Sequence, residues 1–141
     1  MKFTATTRDD IDQIREWINA DPFHQIMAPE WWLTGEGTLS FCLQDDTGPI
    51  CFLRFDDEDG LLRMNTQFGP EEEVSKKRLI TAILNQFPPF IERIKAQHFK
   101  GIVFESTSEN LINFMKKIGF KNLSGDDYVL MFEEVCDLRT I

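Results

Sequence analysis

The sequence SENLINFMKKIGFKN, residues 108–122, is the stretch that decides the fold. Four apolar residues recur in it at helical spacing and two lysines lie opposite them, which predicts an amphipathic helix. The apolar residues are Leu111, Phe114, Met115 and Ile118. Gly119 follows directly, and glycine commonly ends a helix in a conformation that other residues resist. We therefore predict that the helix ends at Gly119 and that Phe120 enters the core before a turn and a last strand.

The rest of the chain carries alternating strand and helix signals. The predicted strands cover residues 2–7, 38–44, 50–55, 61–68, 101–107 and 127–134, the second to fourth of them as an antiparallel meander. Thr7, with Asp10 three residues later, predicts the start of a first helix. A long helix or a helix pair is predicted over residues 69–100, where Pro88 and Pro89 must kink or split it. We expect a single α/β domain over all 141 residues, with a mixed, mostly antiparallel sheet flanked by helices.

Composition and charge argue against several classes of protein. The net charge of −9 does not suit a nucleic-acid binder and favours cationic partners such as amines, or solubility alone. No apolar run approaches the roughly 20 residues of a membrane helix, and the polar N-terminus does not fit a secretory signal. Three cysteines without a C-x-x-C motif favour reduced thiols over a disulfide framework or a zinc site. We expect a cytoplasmic protein with no metal and no membrane partner, and the sequence leaves a homodimer open.

Taken together, these features resemble the GNAT superfamily of acyl-CoA N-acyltransferases. The resemblance rests on SENLINFMKKIGF with its closing Gly-Phe, on DDYVLMF as the final strand, and on QFGPEEEVSKKRLITAIL as a strand–loop–helix segment. The order of elements matches over nearly the whole chain, whereas residue-level similarity covers about residues 60–132. The resemblance implies a GNAT-like domain that uses acetyl-CoA or another acyl-CoA, and an amine acceptor that is a small molecule or a protein.

The resemblance also implies where the cofactor lies. In the family it meets the strand that ends here at Phe68, and its pyrophosphate sits on the amides that open the next helix, as anions do at helix N-termini. The matched loop residues are Ser75, Lys76, Lys77, Arg78, Leu79 and Ile80. Arg78 and Ile80 replace glycines of the family pattern, so we expect the basic side chains to contact phosphate instead, or this run to be only a solvated helix turn. Ser108 stands where the family often has an asparagine that contacts the cofactor.

A second departure from the family pattern concerns proton transfer. Many members carry a tyrosine four residues before the Gly-Phe glycine, which protonates the departing thiolate, and Met115 stands at that position and cannot donate. The candidates for a general base are Glu105, at the end of a strand beside the expected cleft, and His24, in a loop expected to overhang the acceptor side. Each also has a plainer interpretation, as a surface or capping glutamate and as a loop histidine without a chemical role.

Glu30, Trp31 and Trp32 are the candidate substrate-binding residues. Side chains of adjacent tryptophans in a loop point to different sides, so one can pack in the core while the other lines a pocket. An aromatic wall with a carboxylate suits a cationic or planar ligand.

Two functional hypotheses follow from the sequence, together with a third that the charge disfavours. The leading one is an acyl-CoA-dependent N-acyltransferase that acts on an amine. The alternative is a GNAT-like domain that has lost catalysis and serves as a binding or assembly module. In that case we expect Arg78 and Ile80 to fill the cofactor cleft. A nucleic-acid-modifying acyltransferase would need a local basic patch built from the lysines at positions 76, 77, 116 and 117.

Overall fold

The computed structural model describes residues 2–22 and 28–132. The strands are β1 (Lys2–Ala5), β2 (Leu39–Asp45), β3 (Gly48–Glu58), β4 (Leu61–Phe68), β5 (Gly101–Glu105), β6 (Lys121–Ser124) and β7 (Asp127–Met131). The α-helices are α1 (Ile11–Ala20), α2 (Lys76–Ala96) and α3 (Glu109–Ile118), and short 3₁₀ helices cover Arg8–Asp10 and Pro29–Leu33. No helix in these described ranges has the length and apolar character needed to cross a membrane.

The described strands form one sheet in the order β1-β2-β3-β4-β5-β7-β6. Every neighbouring pair is antiparallel except β4 and β5, which are joined by the α2 crossover and run parallel. The predicted mixed, mostly antiparallel sheet is therefore confirmed, and so is the meander of β2, β3 and β4. Strand β5 lies beside β4, as a helical crossover between parallel strands predicts.

The two faces of the sheet are covered by different helices. Helices α2 and α3 cover one face of the sheet. Met64 and Phe68 of β4 and Phe104 of β5 lie on this face. The opposite face is covered by α1, whose Trp17 ring lies 5.4 Å from the ring of Phe52 on β3. Side chains alternate across a strand, so Glu105, one residue after Phe104, points to the α1 side of the sheet.

The first helix begins as its polar residues predict. Asp10 accepts a hydrogen bond from the backbone N–H of Thr7 at 2.8 Å, which is one half of a capping box. The box holds a single 3₁₀ turn, and α1 continues from it at Ile11. Ile14, Trp17 and Ile18 are the buried residues of this helix, in line with the predicted apolar face.

The predicted end of α3 is also confirmed. Gly119 has φ 125° and its N–H donates to the Lys116 carbonyl at 3.1 Å. The next N–H, of Phe120, donates to the Met115 carbonyl at 3.1 Å, so the last carbonyls of the helix are satisfied by this turn. The Phe120 side chain is buried and packs edge-on against Phe104, with 5.2 Å between the ring centroids.

One prediction about secondary structure is wrong. The segment after Gly119 is more than a turn, because Lys121–Ser124 forms the edge strand β6, paired with β7. All four residues of β6 are exposed, so the strand lacks the alternation of apolar and polar residues by which a strand is recognised in a sequence. Of the two outcomes expected at Pro88 and Pro89, the split does not occur, since α2 runs through both prolines. A kink there stays a prediction. Both prolines lie on the exposed side of α2, where water can bind the carbonyls that lose their donors.

Candidate functional site

The parallel strands β4 and β5 pair at one end only. Their register runs from Leu61 beside Gly101 to Arg63 beside Val103, and no pairing continues beyond that point within the described residues. The two strands therefore diverge toward Phe68 and Glu105. The divergence leaves backbone N–H and C=O groups on the inner edges without a strand partner, and such groups bind a ligand that lies between the strands.

A cleft of about 510 Å³ occupies the divergence. It crosses the sheet, because its walls come from the end of α1 on one face and from the start of α3 on the other. The lining residues are Trp17, Ala20, Asp21, Pro22, Thr66, Phe68, Gly69, Pro70, Glu105, Ser106, Thr107, Ser108 and Leu111. Both ionisable side chains in this lining are carboxylates, Asp21 and Glu105, and the α1 side of the cleft is acidic as a result.

Three of the predicted site residues lie together in this lining. Glu105 is exposed at the end of β5, Ser108 is the N-cap of α3, and Phe68 ends β4. The Ser108 hydroxyl accepts a hydrogen bond from the Leu111 N–H at 3.4 Å, so it serves the helix and faces the cleft at the same time. The structure thus brings the candidate base and two candidate cofactor contacts into one cleft.

Asp21 is a cleft residue that the sequence analysis missed. It follows α1, and its carboxylate accepts a hydrogen bond from the Gln67 amide at 3.0 Å. Gln67 is completely buried on β4 and also donates to the Phe68 carbonyl at 3.1 Å. A buried amide must find partners, so Gln67 fixes the position of Asp21 at the cleft. The signal in the sequence was a glutamine next to the end of a predicted strand.

The loop and first turn of α2 are built differently from the prediction. Ser75 is the N-cap, and its hydroxyl accepts from the Arg78 N–H at 3.2 Å. None of the predicted residues from Ser75 to Ile80 belongs to the cleft lining, and Ile80 is exposed on the surface of α2. The expectation that Arg78 and Ile80 fill the cleft is therefore wrong. Lys76 and Lys77 are exposed beside the amides that open the helix, where an anion would bind.

The Arg78 side chain is bound to the β2–β3 turn. Its guanidinium donates two hydrogen bonds of 2.7 Å to the Asp45 carboxylate and one of 2.8 Å to the Gly48 carbonyl. The bonds from Arg78 to the carboxylate are the main cause that lowers the pKa of Asp45 to about 2, well below its ordinary value. Arg78 therefore joins α2 to the sheet, and it would have to leave these partners to contact a phosphate.

The residues just ahead of α2 carry crowded negative charge. Glu71, Glu72 and Glu73 are all exposed, and Glu73 accepts a hydrogen bond from the Trp17 indole at 2.7 Å. The carboxyl of Glu16 hydrogen-bonds to Glu73, and this bond together with the repulsion between the two carboxylates raises the pKa of Glu16. This surface repels anions at the helix end where a pyrophosphate would sit.

The segment with the predicted substrate-binding residues lies apart from the cleft lining. Trp32 is a core residue, 1% exposed. Trp31 stacks on the guanidinium of buried Arg54, 3.9 Å from its ring centroid, and Arg54 also donates to Asp56 at 2.9 Å. Glu30 is exposed and accepts from Arg15 at 3.3 Å. A ligand role for Glu30 and Trp31 stays a prediction.

Two other predicted residues can be placed only in part. His24 falls outside the described residues. Met115 is buried, 3% exposed, in the apolar layer between the sheet and the helices. Among the described residues no group of three or more His, Cys, Asp or Glu side chains is arranged to hold a metal ion.

Comparison with known proteins identifies the fold. No family model matches the chain, and no curated protein matches it. Among solved structures, a spermidine N-acetyltransferase SpeG mutant from Vibrio cholerae superposes with a TM-score of 0.72 at 12% identity, covering 99% of both chains. The protein AAC(6')-Ib, solved in complex with ribostamycin and coenzyme A, gives a TM-score of 0.71 at 13% identity, covering 98% of this chain and 97% of that one.

A third solved structure has a similar fold. The ribosomal-protein-S18-alanine N-acetyltransferase from Escherichia coli gives a TM-score of 0.64 at 14% identity, covering 91% of this chain and 90% of that chain. Identities this low establish the fold and nothing finer. The described part of the chain has the fold of these acetyltransferases.

Proposed function

We propose, from the GNAT fold of this chain, that it is an acyl-CoA-dependent N-acyltransferase whose acceptor is an amine. The single observation that carries the proposal is the cleft between β4 and β5, which crosses the sheet and holds a carboxylate beside unpaired strand edges. Three structural neighbours are named as N-acetyltransferases or were solved with coenzyme A, which supports the same class of reaction.

The acceptor is proposed to enter from the α1 side. Glu105 points to this side, and Asp21 is held there by Gln67. Both carboxylates attract an ammonium group, and Glu105 is the proposed base that takes its proton. The neutral amine then attacks the thioester carbonyl, the C–N bond forms, the C–S bond breaks, and the attacking nitrogen gives up its second proton to water.

The acyl-CoA is proposed to enter from the α3 side. Ser108 and Phe68 line the cleft there, and the inner backbone edge of β4 offers N–H groups that can polarise the carbonyl. The first-turn amides of α2, with Lys76 and Lys77 beside them, are the proposed contacts for phosphate. Met115 is buried and has no proton to donate, so water is the proposed donor to the departing thiolate.

The structure suits the pantetheine arm of acyl-CoA better than it suits the phosphates. The cleft has room for the pantetheine arm, whereas Glu71–Glu73 oppose the phosphates and Arg78 is occupied by Asp45. We therefore expect weak binding of acetyl-CoA, with a dissociation constant well above micromolar. Calorimetric titration measures this dissociation constant at low ionic strength and at about 0.5 M salt. At the higher salt the screening length is only a few ångströms, so most of the repulsion between the surface carboxylates and the phosphates is removed.

Turnover provides the decisive test. Released thiol is followed with acetyl-CoA and a panel of primary amines, for the wild type, Glu105→Gln and the control Glu92→Gln. Glu92 is exposed on α2 and lies outside the cleft lining, so its variant makes the same change of charge elsewhere. We expect Glu105→Gln to lower kcat/KM by about 10²-fold or more near neutral pH and Glu92→Gln to leave it unchanged. Equal turnover by all three proteins would remove Glu105 from the reaction.

A non-catalytic binding module is the second candidate, favoured by the acidic loop and by the engagement of Arg78 with Asp45. The variant Glu71→Gln/Glu72→Gln separates the two candidates, because it relieves the repulsion without touching the Trp17–Glu73 hydrogen bond. A transferase should bind acetyl-CoA more tightly after this change. A module should show no binding at millimolar ligand, before or after it.

A further inference from the structure

An apolar cavity lies behind the cleft, between the sheet and the two helices α2 and α3. It measures about 40 Å³. Its walls include Leu53, Phe55 and Met64 from the sheet, Ile83 and Phe87 from α2, and Met115 from α3. Apart from Thr66 and Gln86 the lining side chains are apolar, so the cavity excludes charged groups and offers water few partners.

The cavity and the cleft share a wall. Thr66, Phe68 and Leu111 line both, and each of the three is only partly buried. Thr66 and Phe68 belong to the part of β4 that has diverged from β5, and Leu111 lies in the first turn of α3. A group that lies in the cleft beside β4 therefore has the mouth of the cavity next to it.

The size of the cavity limits what can enter. A water-sized group needs about 10–15 Å³ of such space, and carbon groups are somewhat larger. About 40 Å³ therefore accommodates about two carbon groups and excludes a long chain. Its contents must also be apolar, because Thr66 and Gln86 are the polar residues of its lining and the other lining side chains are apolar.

We propose that this cavity binds the alkyl end of the acyl group, so that the chain prefers propionyl or butyryl thioesters to acetyl ones. The inference rests on the proposed function, since it assumes that a thioester lies in the cleft. It adds the class of acyl donor, a saturated chain of three or four carbons, with its terminal carbons against Leu111 and Met115. Each buried methylene strengthens binding about fourfold at the usual gain for apolar burial.

The test is the affinity series of acetyl-, propionyl-, butyryl- and hexanoyl-CoA, measured by calorimetric titration without an acceptor. We expect butyryl-CoA to bind about tenfold more tightly than acetyl-CoA, propionyl-CoA to fall between them, and hexanoyl-CoA to lose the gain. An acetyl-CoA affinity equal to or above that of butyryl-CoA overturns the inference and leaves the proposed function intact. Absence of binding by every thioester overturns both.

A variant in the shared wall tests the location. Leu111→Phe fills the mouth of the cavity, and Leu84→Phe makes the same change on the exposed surface of α2, where Leu84 is 56% exposed. We expect Leu111→Phe to bring the butyryl/acetyl affinity ratio to about one or below, and Leu84→Phe to leave it unchanged. If Leu111→Phe does not fold, Ile83→Phe fills the cavity from the side of α2. A ratio that stays at the wild-type value in the folded variant places the acyl chain elsewhere.

Discussion

Replacement of Gly119 by alanine should destabilise the protein by about 2 kcal/mol. Two terms contribute to this value. A residue with a Cβ pays about 1–3 kcal/mol in a sparsely populated backbone region, and Gly119 has φ 125°. The new Cβ would also lie 3.2 Å from Cδ1 of Leu130, a close contact that a small shift of that flexible side chain relieves.

Gly125 provides a matched control in the turn between β6 and β7. It has φ 54°, inside the left-handed region, and a Cβ added there meets no atom within 4 Å. Alanine at this position should therefore cost only about 1 kcal/mol, the lower end of the left-handed penalty. The contrast between the two variants isolates the conformation and contact that belong to the helix end.

Urea unfolding of the wild type and both variants, followed by circular dichroism, measures the two costs. With an m-value of about 2 kcal/mol/M, Gly119→Ala should lower the midpoint by about 1 M and Gly125→Ala by about 0.5 M. An unchanged midpoint for Gly119→Ala would show that the helix end relaxes into an ordinary conformation. Equal losses in both variants would show that Gly119 has no special role beyond a positive φ.

Two further predictions concern ionisable groups. The Arg78–Asp45 ion pair stabilises the fold above the ordinary pKa of an aspartate, near 4, and this stabilisation is lost as the pH falls toward about 2, the pKa of folded Asp45. Asp45→Asn should thus lower the urea midpoint by a constant amount from pH 8 to 5, and by progressively less between pH 4 and 2. If the difference between the wild-type and variant midpoints does not shrink between pH 4 and 2, the ion pair is contradicted. Burial raises the pKa of the Cys42 thiol to about 11, so peptide mass mapping should find it unmodified by a disulfide reagent at pH 8 in native protein and modified after unfolding.

Local signals in the sequence predicted most of the fold. The helix end at Gly119, the start of α1 at Thr7 and the meander are set by residues a few positions apart, so spacing and turn chemistry reveal them. Strand β6 carried no such signal, because an exposed edge strand has no alternating apolar residues. The sequence also left open whether α2 continues through its two prolines, since the outcome depends on packing along both halves of the helix.

The candidate site was predicted less completely, because its contacts join distant parts of the chain. Glu105 and Ser108 could be found from their positions at a strand end and a helix start. The bond between Gln67 and Asp21 spans 46 residues, and nothing in either segment indicates the other. The ion pair between Arg78 and Asp45 likewise spans 33 residues. Because of this pair, the Arg78 side chain, which was expected to contact phosphate, binds a carboxylate instead.

The prolines in α2 also allow the two halves of the helix to open separately. Pro88 and Pro89 donate no hydrogen bonds to the carbonyls of Leu84 and Asn85, so the ladder is broken for two successive rungs. The turns that begin at Lys76, near the cleft, and the turns that end at Ala96 are then held mainly by their own packing on the sheet. Amide hydrogen exchange should therefore report two opening units within one continuous helix, and fraying at the cleft end need not spread to the other half.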